Sequence, residues 1–164
     1  MSKPEKYHLQ KLLEWRERAK QNAVEILARK CARLEAAERE LTARENAVAV
    51  CRETQRNAQT AMIEKSADGI ENHKLIVHRR HLTDLREREI ELLAAAEQQK
   101  IVVSQAATEV EKALEVLTEA TKEWRTIEKH RENWRHEKLL ASNRKEQKNN
   151  DETAAILHER NKIE

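Results

Sequence analysis

Glycine and proline are nearly missing from this chain: one of each stands among 164 residues. Phenylalanine is absent, and aromatic residues make up 2% of the sequence. A globular enzyme or β-domain of this length spends large aromatics on a central core and glycines on tight turns. One glycine cannot build a phosphate-cradling loop. No apolar run approaches the ~20 residues of a membrane span, and the N-terminus has no signal-peptide apolar region. Cys31 and Cys51 are the only cysteines. Twenty residues apart on one helix, they stand about 30 Å from each other and cannot bridge. Free thiols suit a reducing, cytoplasmic setting.

What is present is charge, 38% of residues, mixed with Ala, Leu, Val and Ile. That mixture belongs to coiled coils and long helices. The 32 basic and 30 acidic residues nearly cancel, but they are unevenly placed. Lys3–Lys20 carries six basic and three acidic residues, and Arg125–Lys148 eight and four. Between them, Glu87–Glu123 carries nine acidic and four basic. Basic ends either form a solvated helix surface or come together and meet an acidic partner.

Ser2-Lys3-Pro4-Glu5 has the form of a capped helix start. The next breaker is Ser66-Ala67-Asp68-Gly69. The spacing predicts one helix over about 3–65, a turn at 66–70, a second helix over about 71–150 and a frayed tail at about 151–164, its helix propensity weakened by Asn143, Asn149 and Asn150. Ile156 and Leu157 are the tail's last apolar pair, a candidate docking handle.

Apolar residues recur every seven positions. With Leu82 as a, the second helix has a residues Leu82, Glu89, Ala96, Val103, Val110, Leu117, Trp124 and Arg131. Its d residues are Leu85, Leu92, Gln99, Ala106, Ala113, Ala120, Ile127 and Trp134. Thirteen of those sixteen are apolar, which over eight heptads indicates a coiled coil. The first helix is weaker. Its series Leu13, Lys20, Leu27, Leu34, Leu41, Val48, Gln55, Met62 and Leu9, Arg16, Ala23, Lys30, Ala37, Arg44, Cys51, Ala58 has eleven apolar members of sixteen. A shifted phase through Leu12, Trp15, Ala19 and Ile26 fits equally near the start and predicts a stutter near residue 26.

The fold expected is all-α: a long two-helix antiparallel coiled-coil hairpin with a polar C-terminal extension, forming a single elongated domain over 1–164. A turn at residue 69 makes facing residue numbers total about 139. Trp15 and Trp124 then lie level, and this register brings two of the three tryptophans together. An intermolecular coiled-coil dimer satisfies the same heptads.

Little in the sequence speaks for catalysis or cofactors. His78 and His81 share a helix face, but no cysteine or carboxylate cluster completes a metal site near them. A two-helix hairpin offers no pocket to make Cys31 or Cys51 a nucleophile. No enzyme activity and no cofactor are expected. Nucleic acid is not an expected partner either, because Glu128, Glu132 and Glu137 interleave the basic residues of the second arm. Neither arm pairs a wide apolar face with a purely basic one, so insertion at a membrane is not expected.

The run Trp124-Arg125-Thr126-Ile127-Glu128-Lys129-His130-Arg131-Glu132-Asn133-Trp134, followed by Arg144-Lys145-Glu146-Gln147 and Asp151-Glu152, resembles the C-terminal arm of the FliJ/YscO family. These are central-stalk proteins of flagellar and injectisome type III secretion, and the pattern around Trp134 and Gln147 is closer to the injectisome branch. The resemblance implies a protein at the cytoplasmic face of the secretion apparatus, similar to the coiled-coil part of the rotary ATPase γ-subunit. Its partners would be a hexameric secretion ATPase, an export gate protein and secretion chaperones, and some injectisome members are themselves exported. The ATPase would be met at the open end, through Lys11, Arg16, Arg18, Lys129, Arg131, Arg135 and Arg144. The gate would be met at the hairpin tip, through Met62, Ile63, Ile70, Leu75, Ile76 and Val77, unless these merely close the hairpin. The other reading is a coiled-coil scaffold or adaptor unrelated to secretion.

Overall fold

The structure is a computed structural model that describes residues 6–163, without the side chains of 161–163. Two helices account for it: α1 over Gln10–Ala67 and α2 over Asn72–Ile163. The expected cap at Ser2-Lys3-Pro4-Glu5 lies outside the described residues. Gly69 sits between the helices with φ +85°, where a Cβ is costly. Around it, Asp68 and Gly69 donate their N–H groups to the Glu64 and Ser66 carbonyls and close α1. The Glu71 carbonyl accepts from Lys74 and Leu75 and opens α2.

The chain divides into two compact units, Met1–Val24 with Val116–Glu164, and Glu25–Glu115. In each, α1 packs antiparallel on α2. In the first unit Arg16 meets Glu123. In the second, Lys30 meets Glu109 and Arg44 meets the Ala95 carbonyl. All three pairs total the expected 139.

Every a and d position named above is buried or half-buried. Much of the buried seam is alanine: Ala23, Ala37, Ala96, Ala106 and Ala113, with Leu13, Val48, Cys51 and Leu82. Alanine favours the helix and contributes little apolar area. The polar members of the seam are therefore informative. Buried Gln99 donates from Nε2 to the Ala37 carbonyl at 3.0 Å. Gln55 donates to the Leu85 carbonyl at 3.1 Å and to Glu89 at 2.9 Å. Lys30 reaches Glu109 at 2.8 Å, and Lys20 lies 3.5 Å from the centre of the Trp124 ring. These polar positions thus find partners on the opposite helix, as register-fixing residues do; Arg131 instead turns to Glu128 on its own helix.

Four expectations are corrected. The stutter near residue 26 is absent: the heptad phase is kept, and Trp15 and Ile26 are exposed. Level though they are, Trp15 and Trp124 make no ring contact among the described residues. Trp15 is at a c position on the outer side of α1, while Trp124 is an a residue covered by Lys20. Third, α1 begins at Gln10 rather than near residue 3. Tyr7 leaves the helical path because its ring is drawn against α2. Fourth, α2 stays helical through the expected frayed tail, to Ile163. Ala154, Ala155, Leu157 and the long charged side chains outweigh the three asparagines in propensity.

Candidate interaction surfaces

The first unit holds all seven basic residues assigned to the open end. The structure sorts them into two groups. Arg16 is half-buried, ion-paired with Glu123, and its guanidinium lies 4.5 Å from the Trp15 ring centre. Arg131 is half-buried, contacts Glu128 at 3.4 Å, and its Nε is buried without a hydrogen-bond partner. These two belong to the helix packing. Lys11, Arg18, Lys129, Arg135 and Arg144 are exposed and form no ion pair among the described residues. An unpaired surface cation loses no existing bond when it meets an anionic partner.

Sequence reasoning missed Tyr7. It is 6% exposed although it lies outside the helix. Its hydroxyl is 2.7 Å from His130 Nδ1 and donates to the Ile127 carbonyl at 3.5 Å. Its ring packs against Trp134, with centroids 5.5 Å apart, and His8 meets His130 edge-on at 5.7 Å. This cluster fastens the segment before α1 onto α2 and sets where the α1 cations Lys11 and Arg18 begin. The signal available was that Tyr7 is the only tyrosine and that the 139 register puts it beside the Lys129–Trp134 turn.

The second unit contains the turn. Ile63, Ile76 and Val77 are exposed, and Met62, Ile70 and Leu75 half-buried. Ile70 and Val77 help line an open concavity of about 520 Å³ that is edged by Lys65, His73, Lys74 and His78. His73 and Lys74 each contact Glu71, at 3.3 and 3.4 Å. Three of the six apolar residues named for the tip therefore present their side chains to solvent.

Deeper in the second unit, two carboxylates are perturbed. The hydrogen bond from Arg52 at 2.6 Å, helped by Gln55, holds Glu89 below the usual carboxylate range. The hydrogen bond from Lys30 does the same for Glu109. Both lie where α1 meets α2 and serve packing. Cys31 is exposed and Cys51 buried, with its thiol directed to the Leu85 carbonyl at 3.5 Å. No helix among the described residues is long and apolar enough to cross a membrane.

Comparison with known proteins agrees with this architecture. The family model for YscO-like proteins matches residues 4–164. A solved structure, that of the CT670 protein of Chlamydia trachomatis, described as a proposed YscO homologue, superposes with a TM-score of 0.74. The likeness covers 98% of this chain and 99% of that one at 24% identity, so it establishes a shared fold. No curated protein matches the sequence significantly.

Proposed function

Because the chain belongs to the YscO-like family, we propose that it serves type III secretion as a stalk, binding the hexameric secretion ATPase, promoting its activity and coupling it to the export gate. The observation that carries the ATPase contact is a group of unpaired, exposed cations in the first unit that includes Lys11, Arg18, Lys129, Arg135 and Arg144. Their partner would be an acidic, water-accessible surface. Opposite charges there steer encounter and fix orientation more than they add raw affinity. The gate contact is assigned to the turn, through Ile63, Ile76 and Val77, whose exposed apolar side chains gain by being covered. Secretion chaperones remain candidate partners, and the work is placed at the cytoplasmic face of the apparatus. The function is binding rather than catalysis. Family membership weighs against a scaffold unrelated to secretion.

The test is titration of the cognate secretion ATPase with this protein, following hydrolysis rate and hexamer fraction. Both should rise. Exposed ion pairs contribute ~0.2–1 kcal/mol each, and reversal also adds repulsion, so the triple variant Arg18→Glu/Arg135→Glu/Arg144→Glu should lose about 2–3 kcal/mol, roughly 30- to 150-fold in affinity. Arg131 is left out because its reversal would disturb packing beside Glu128. Unchanged binding by a folded triple variant would remove the electrostatic contact.

A further inference from the structure

Tryptophan is the most costly residue to leave in water, and this chain has three. Two are engaged: Trp124 under Lys20 and Trp134 against Tyr7. Trp15 is 57% exposed and its indole N–H has no acceptor among the described residues. It is not a loose side chain. Arg16 lies against its ring at 4.5 Å and is itself held by Glu123 across the helix pair, so the indole rests on an anchored guanidinium. Four residues before Trp15 comes Lys11 and three after it Arg18, both exposed and unpaired. Residues at these spacings share one helix face. The outer side of α1 in the first unit thus shows a row of cation, indole, cation.

We infer that Trp15 is the anchor of the ATPase contact: its indole enters an apolar slot on the partner that offers one acceptor oxygen and is rimmed by carboxylates facing Lys11 and Arg18. This rests on the ATPase reading above. A preoriented aromatic ringed by cations has the composition of an interface hot spot. The row on its own is also compatible with stacking on a single-stranded nucleic acid. Single-strand binding stacks successive bases on several aromatics along a basic groove, whereas Trp15 is the one exposed tryptophan or tyrosine among the described residues. A solitary indole therefore favours a single slot on a protein surface.

The experiment compares Trp15→Ala and Trp15→Phe with the unaltered chain, each titrated with the cognate ATPase, with circular dichroism recorded for each. Trp15→Ala should bind about 30-fold more weakly or worse, at unchanged helicity and nearly unchanged melting temperature, because Arg16, the seam residue its ring touches, keeps its ion pair with Glu123. Trp15→Phe should recover part of the loss. In the unaltered chain, the emission of Trp15, isolated by subtracting the spectrum of Trp15→Phe, should shift to the blue and escape iodide quenching on binding. Unchanged affinity of Trp15→Ala, with weakened binding by the triple charge reversal, would overturn this inference and leave the stalk reading standing. Failure of the unaltered chain to bind the ATPase would overturn both. Retention of single-stranded RNA that depends on Trp15, with ATPase binding indifferent to it, would overturn the protein-slot assignment.

Discussion

Replacing Gln99 with methionine tests what the polar layer of the seam does. Gln99 is 7% exposed and donates to the Ala37 carbonyl at 3.0 Å. That carbonyl, in the interior of α1, already accepts from the helix itself, so removing the amide leaves no acceptor stranded. The loss is one neutral hydrogen bond, about 0.5–1.5 kcal/mol net. The gain is an apolar side chain of nearly equal length in the same slot. With the Gln methylenes already buried, this is worth about 1–2 kcal/mol. Gln99→Met should therefore unfold in urea at an equal or slightly higher midpoint, by up to about 1 kcal/mol. Specificity should suffer instead, because a buried amide that recognises a particular turn of α1 is gone. Register can be read in a Leu85→Cys background, because the Leu85 carbonyl lies 3.5 Å from the thiol of native Cys51. Disulfide formation should be slower or less complete once Gln99 is methionine. The converse variant, Gln99→Glu, would aim a carboxylate at a carbonyl oxygen. It should destabilise by more than about 1 kcal/mol at neutral pH and recover in acid, as the protonated acid can donate. A loss above 1 kcal/mol in Gln99→Met with unchanged cross-linking would refute the reasoning and make the amide a source of stability.

Other outcomes follow from the same geometry. Gly69→Ala meets no atom within 4 Å but keeps φ at +85°, so the left-handed backbone alone should cost about 1 kcal/mol, with Gly69→Asn milder, read by thermal melting. The depressed folded-state pKa values of Glu89 and Glu109 mean a stabilisation fully present above the ordinary carboxylate pKa and lost as pH falls through the depressed value. Stability measured from pH 6 to pH 2 should therefore decline, and less steeply in Glu89→Gln/Glu109→Gln. A maleimide should label exposed Cys31 promptly in the native protein and buried Cys51 only at the rate of local opening, which mass spectrometry separates.

The hairpin was legible because it follows from period and punctuation. One Gly at residue 69 fixed the turn, and the turn fixed the register that Arg16, Lys30 and Arg44 obey. The heptad series held even at its polar members, since Gln99, Gln55 and Lys30 have side chains long enough to reach across a narrow alanine seam. Trp15 misled because a heptad reading counts tryptophan as apolar wherever it falls, and a competing phase could be drawn through it. Only the packed partner helix decides between phases. Tyr7 was overlooked for the opposite reason: it precedes α1 and is buried by a tertiary contact that no local period announces. Of the basic residues, sequence could gather them at one end but could not divide Arg16 and Arg131, spent on neighbours, from the five left open.

The alanine seam has a mechanical consequence. No side chain among the described residues is both large and wholly enclosed, so no single plug must be extracted before the helices part. Grip is spread in small portions, a methyl group or two and a side-chain bond at each level, with each buried methyl worth about 0.8 kcal/mol. Within each unit such a pair behaves as a zipper with fine teeth. It should open by short steps rather than in one rupture, reclose without searching for a lost fit, and bend under load before it breaks.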